Sequence, residues 1–140
     1  MEQLYRLSQT TSLDAVAALR QPLQQLLITA GGDPEAVGDV MLALNEAIIN
    51  SLHHGYQGQP GWLQIEIGRA GQSLVIQQYD KAPPFDPTAV PPPDTSLPLA
   101  VRPLGGMGVH MMRNFTDELH YQRTAEGCNR LTFIKHNVFT

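Results

Sequence analysis

Cysteine is almost absent from this chain. The single thiol, Cys128, excludes an internal disulfide and a cysteine-based metal cluster. No apolar run approaches the ~20 residues that a membrane-spanning helix needs, so no membrane association is expected. A basic stretch is missing too. Nine Lys and Arg stand against thirteen Asp and Glu, giving a formal net charge of −4. The electrostatic footprint of a direct nucleic-acid binder is therefore lacking. Met1-Glu2-Gln3-Leu4-Tyr5-Arg6 does not have the layout of a secretory signal, and a cytoplasmic location is the expectation. The histidines give no metal-ligand spacing. His53 and His54, being adjacent, point about 100° apart on a helix and make a poor chelate.

What remains is an ordinary globular composition in 140 residues, 42% hydrophobic and 16% charged, enough for one domain with a core of useful size. Residues 3–7 alternate and predict a short strand. Ser12 offers an N-cap to a run of apolar residues at helical spacing that Pro22 should kink or break. Gly31-Gly32 stops that helix. Asp33-Pro34 starts the next, with the acid as N-cap and proline at the first helical position.

The second helix is predicted from about Pro34 to His53 or His54. Val37, Val40, Met41, Leu44, Ala47, Ile48 and Ser51 fall on one side of it. Glu46 and Asn50 point roughly opposite, one turn apart. A carboxylate and an amide oxygen so stacked suit a hard cation such as Mg²⁺, whose octahedral shell takes oxygens. Alone, the pair equally fits a solvated polar face. Ala43 and Ile49 flank it, which favours a helix lining a pocket.

Leu63, Ile65 and Ile67 alternate with Gln64 and Glu66 as a half-buried strand. Ala70-Gly71-Gln72 reads as a hairpin loop, and a second strand runs from Leu74 to Tyr79, ending at Asp80. Then the texture changes. Eight of the eleven prolines lie between Pro83 and Pro103, and a loop so long inside a compact domain is usually a lid or binding loop. Leu104-Gly105-Gly106-Met107-Gly108-Val109 closes it and opens a helix over about Val109–Phe115. Glycines before a helix start let backbone N–H groups approach an anion. Two strands joined by Ala125-Glu126-Gly127 finish the chain. The order predicts an α+β two-layer sandwich: a mainly antiparallel, mixed sheet with helices on one face.

Three features then stand in a fixed order: Glu46-Ala47-x-x-Asn50-x-x-x-His54-x-Tyr56, Asp80-x-Ala82-x-Pro84-Phe85-Asp86-Pro87, and Gly105-Gly106-x-Gly108-Val109. Asp117 and Asn129-x-Leu131-Thr132-Phe133 follow. In this order and spacing they resemble the GHKL ATP-binding fold of histidine kinases and DNA gyrase, and within it the small bacterial serine kinases that act as anti-sigma factors. The resemblance runs from the first strand to Lys135 and implies a Bergerat-type fold over residues 1–140, with an ATP lid at about 87–104.

It also implies roles. Asn50 would coordinate Mg²⁺, and Glu46 would act as general base or orient the attacking hydroxyl. Asp80 would accept the adenine amino group, Thr132 would support the adenine through its hydroxyl, and Ala82 stands beside the base where the family has glycine. Gly105, Gly106 and Gly108 would turn backbone amides to the phosphates ahead of the helix from Val109, and Arg102 would add a positive charge there. His54 and Tyr56 match the pattern but are expected only to pack and hydrogen-bond at the helix end. The implied activity is ATP-dependent phosphorylation of an anti-anti-sigma antagonist by a protein that also sequesters a sigma factor, with a homodimer suggested. A nucleotide-binding regulatory module without kinase activity is the alternative.

If position 82 needs a positive φ or a close approach to the base, its methyl group costs roughly 1 kcal/mol or more.

Overall fold

The computed structural model describes residues 1–90 and 106–140. Five strands, β1 (Glu2–Thr11), β2 (Gly61–Ala70), β3 (Ser73–Asp80), β4 (Glu118–Arg123) and β5 (Asn129–Lys135), form one sheet in the order β1-β2-β3-β5-β4. Every pairing is antiparallel, so the expected mixed character is not seen among the described residues. Four helices accompany the sheet: α1 (Leu13–Ala17), α2 (Arg20–Thr29), α3 (Pro34–Ile49) and α4 (Gly106–Asn114). No described helix is long and apolar enough to cross a membrane.

Local chemistry explains the boundaries. The Ser12 hydroxyl accepts the Ala15 N–H at 3.3 Å and starts α1. The helical path breaks at Ala18-Leu19, before Pro22, because proline has no N–H for the Ala18 carbonyl and its ring crowds that oxygen. Pro22 then sits in the first turn of α2, where a missing N–H costs nothing. Gly31, at φ +104°, ends α2. Its N–H bonds to the Ile28 carbonyl and that of Gly32 to the Leu27 carbonyl, both at 3.0 Å, the paired pattern of a Schellman stop. The Asp33 carboxylate accepts the Ala36 N–H at 3.0 Å and Pro34 leads into α3.

The apolar face of α3 goes fully into the core: Val37, Val40, Met41, Ala43, Leu44, Ala47 and Ile48 are all buried. They meet Leu63, Ile65 and Ile67 of β2, Leu74 and Ile76 of β3 and Leu131 and Phe133 of β5, the inward set of each alternating strand. β1 is longer than its short alternation suggested, pairing with β2 from Glu2 to Thr11. The C-terminal tail was not foreseen as structured. Val138 and Phe139 are buried, and the Val138 carbonyl accepts the Asp33 N–H at 2.8 Å.

Two departures bear on the site. After Ile49 the helix widens into a π-helical turn, Asn50–Gly55, carried on by the Tyr56 N–H bond to the Ser51 carbonyl at 2.8 Å. And α4 starts at Gly106, three residues earlier than its sequence suggests, so Gly106 and Gly108 lie inside its first turn.

The outer edge of the sheet carries a polar clasp. Glu118 of β4 accepts from His120 Nε2 at 3.0 Å and lies 2.9 Å from His136 Nε2. The hydrogen bond to His120 is the main cause that holds the Glu118 carboxyl below its ordinary value, with the charges of His136 and His120 adding to it. A carboxyl depressed in the folded state contributes stability above its unfolded value and loses it as pH falls through the folded one. Glu118→Gln should therefore lower the melting temperature slightly at pH 7, with the gap from wild type closing below about pH 4. Thermal scans of both proteins across pH 3–7 check this, and a gap that persists at pH 3 would contradict it.

Candidate active site

β3 ends at Asp80 because the chain leaves the sheet there for the proline-rich stretch. The alternation that buries Leu74, Ile76 and Gln78 also turns Asp80 inward, at 8% exposure. A buried carboxylate is costly unless donors surround it. Asp80 has three. Ser51, from the π-helical turn, donates its hydroxyl to Oδ2 at 2.6 Å. The Ala82 N–H and the Asn129 amide donate to Oδ1 at 3.1 and 2.7 Å.

Above this floor opens a cavity of about 400 Å³, within the range of small-molecule sites. Asn50, Ser51 and His54 line it from the helical side, Ala82 to Phe85 from the rim, and Met112, Tyr121 and Leu131 with them. His54 thus reaches the cavity as an exposed side chain and is not confined to packing. Tyr56 does serve the helix end. Its hydroxyl donates to the Trp62 carbonyl at 2.8 Å and accepts the Lys81 N–H at 2.7 Å. Burial is the main reason its phenol is pushed up.

Glu46 and Asn50 are half-buried rather than solvated, and both face the first turn of α4. A Cβ placed on Gly108 would lie 3.0 Å from Glu46 Oε2 and 3.9 Å from Asn50 Oδ1. No side chain fits there without displacement, so α4 presents bare backbone to the pair. The N–H groups of that first turn have no partners within the helix, and the turn favours negative charge. Oxygen donors beside a helix N-terminus together suit a phosphate group bridged by a hard cation. Among the described residues no group of three His, Cys, Asp or Glu could hold a metal ion.

Not every expected residue converges on this place. Val109 is 1% exposed in the core, leaving only its backbone for a ligand. Thr132 pairs with Gln77 and His120 and alternates to the sheet face opposite Leu131 and Phe133, so the sheet does not bring its hydroxyl to the cavity. Asn129, opposite Asp80 in the register, takes that place. The alternation of Leu131 and Phe133 was the signal that could have found it. Arg102, Gly105 and residues 91–104 of the expected lid lie outside the described residues.

Ala82 has no positive φ, which removes one ground for a glycine there. The Ala82 methyl group packs across the site against Gly55: a Cβ there would stand 2.7 Å from the Ala82 Cβ. The methyl group that position 82 carries is accommodated by the one position 55 lacks.

A family model described as the histidine kinase-like ATPase domain matches residues 10–135. The chain is 32% identical over 99 residues to the anti-sigma F factor of Clostridium kluyveri, covering 69% of this chain and 68% of that protein. It is 29% identical over 98 residues to the serine/threonine-protein kinase BtrW of Bordetella bronchiseptica, with the same coverage. With the serine-protein kinase RsbW of Bacillus cereus it shares 26% identity over 108 residues, 74% of this chain and 68% of that one. The fold is also that of a chain in the crystal structure of the RsbU and RsbW domains of Rv1364c from Mycobacterium tuberculosis. There the TM-score is 0.62 at 18% identity over 94% of this chain, which spans about a third (32%) of that one.

The pairing of Gly55 with Ala82 is open to a mutant cycle. Gly55→Ala should destabilise by about 1–3 kcal/mol through overpacking. The double variant Gly55→Ala/Ala82→Gly should be at least ~1 kcal/mol more stable than the sum of the single changes predicts. Urea unfolding of the four proteins measures this, and simple additivity would refute the pairing.

Proposed function

The chain belongs to the histidine kinase-like ATPase domain family, and from that membership we propose an ATP-dependent protein serine/threonine kinase that is also an anti-sigma factor. Its relatives' names carry both activities. In this reading it phosphorylates an anti-anti-sigma antagonist and, when not engaged with it, sequesters a sigma factor. A single ATPase domain over 1–140, a lid at about 87–104 and a homodimer belong to the same reading.

The observation that carries the proposal is that Glu46 and Asn50 border the space a Cβ on Gly108, in the first turn of α4, would need, with Asn50 also lining a cavity floored by Asp80. Asp80 would accept the adenine amino group. Its neighbours Ser51 and Asn129 have spent their donors on it, so the carboxylate meets the ligand as an acceptor. Asn50 Oδ1 would hold Mg²⁺ against the phosphates, and the Gly106 and Gly108 amides would face the same group. The bound Mg²⁺–nucleotide would supply the transferable phosphoryl group and charge neutralisation.

Glu46 is half-buried next to these groups. It would orient the antagonist's serine or threonine hydroxyl and take its proton as the oxygen bonds to the γ-phosphorus. The bond from that phosphorus to the β-phosphate oxygen breaks, and ADP leaves. A base that touches only the incoming hydroxyl affects transfer more than nucleotide affinity.

Radiolabelled transfer to the cognate antagonist tests this. Glu46→Ala should cut the rate by roughly 100-fold or more while ADP affinity stays within a few-fold. Asp80→Asn should weaken ADP by about 10-fold or more in calorimetry, as expected for a charged hydrogen bond. Equal transfer by wild type and Glu46→Ala would remove Glu46 from the chemistry. ADP binding without any transfer by wild type would instead favour the regulatory module.

A further inference from the structure

The carboxylate of Asp80 is only as selective as its aim, and its aim depends on Asn129. That amide lies at the start of β5, 8% exposed. Its Nδ2 donates to Asp80 Oδ1 at 2.7 Å and also approaches the carbonyls of Ala82 and Pro83, each at 3.2 Å. Its Oδ1 accepts the Tyr121 hydroxyl at 2.6 Å and Arg123 Nη1 at 3.1 Å. The same Arg123 nitrogen donates to the Ala82 carbonyl at 3.1 Å.

These partners permit one orientation of the amide. Turned over, it would set an oxygen against Asp80 Oδ1 and two carbonyl oxygens, and its NH₂ against a guanidinium and a hydroxyl. Tyr121 and Arg123 lie two apart on β4 and so share a face. Across the register Tyr121 stands opposite Leu131, and Arg123 opposite Asn129.

We propose that Arg123 is a positioning residue for nucleobase selectivity: through Asn129 it holds the Asp80 carboxylate and the Ala82 rim in the geometry that accepts an amino group. Tyr121 shares the task. The proposal rests on the nucleotide reading above and adds a second tier of residues to it. Arg123 does not line the cavity, so its effect reaches the ligand through Asn129 and Ala82.

Loss of the guanidinium leaves Asn129 Oδ1 and the Ala82 carbonyl each one donor short. Asn129 can then tilt about its remaining bonds to Asp80 and Tyr121, and the Asp80 oxygens leave their set positions. A ligand held through its amino group loses more from this than one with a carbonyl at the same place, which can offer Asp80 only the neighbouring ring N–H.

The test compares ADP with IDP, whose base carries a carbonyl where adenine carries the amino group. Binding is measured by calorimetry on the full chain for wild type, Arg123→Met, Arg123→Lys and Tyr121→Phe. Wild type should prefer ADP. Arg123→Met should lower the ADP/IDP preference by about 3–10-fold, the worth of one hydrogen bond, and Arg123→Lys should restore it to within about two-fold. Tyr121→Phe, which removes the other donor to Asn129 Oδ1 at a residue that itself lines the cavity, should lower the ratio in the same direction, and Arg123→Gln serves if Arg123→Met does not fold.

Equal weakening of ADP and IDP would mark Arg123 as merely structural and overturn the proposal, as would an unchanged ratio in both Arg123→Met and Tyr121→Phe. If wild type binds neither nucleotide, the reading beneath it falls as well, and that result is distinct from bound ADP with an unmoved ratio.

Discussion

A buried carboxylate with three donors organises this molecule. Taking Asp80 out of water costs several kcal/mol unless charge-assisted hydrogen bonds replace the lost hydration. The replacements come from three separate parts of the chain: Ser51 on the π-helical turn, the Ala82 amide on the rim, and Asn129 on β5. Each supplier is itself held. Ser51 Oγ accepts from Gln78 at 2.8 Å, Arg123 donates to the Ala82 carbonyl, and Asn129 accepts from Tyr121 and Arg123. Helix, rim and sheet therefore meet at one acceptor.

The other end of the site depends on α4. Val109 and Met112 sink it into the core. Gly108 lets its first turn close on Glu46. At the last turn Arg113 donates to the carbonyls of Pro87, Thr88 and Val90, the short helical turn behind the rim that Asp86 caps through the Thr88 N–H at 2.8 Å. One nine-residue helix thus touches the carboxylate–amide pair at its start and the rim segment at its end. Its middle, Val109 and Met112, is packed into the core between them.

Much of this was legible before any coordinates. Period-two alternation located β2 and β3, and cap chemistry located the start of α3 and the end of α2. The four-residue spacing of Glu46 and Asn50 puts them on one side of the helix, and that side faces Gly108 of α4. What was not legible depends on contacts between distant segments. The π-helical turn has no sequence signal of its own; it lies where Ser51 meets Asp80, 29 residues away. The earlier start of α4 follows from the packing of its first turn against Glu46, where glycine's low helix propensity argues for a later one. The motif resemblance implies a place beside the adenine for Thr132, yet strand alternation beside Leu131 and Phe133 sends it to the other face. Where motif and periodicity disagreed, periodicity described the geometry.

The same distinction settles what Ala82 means. A glycine in a motif can be required for its φ or for its size, and only the first is a property of that position alone. The backbone at Ala82 is not in the left-handed region, so size is the relevant requirement, and size belongs to a contact. Here the contact is with Gly55, at the end of the widened turn that also brings Ser51 to Asp80. A methyl group on either side fits, while methyl groups on both would stand 2.7 Å apart. The departure from the motif is therefore compatible with an intact cavity. Its shape is a joint property of residues 55 and 82, which a comparison of single positions cannot register.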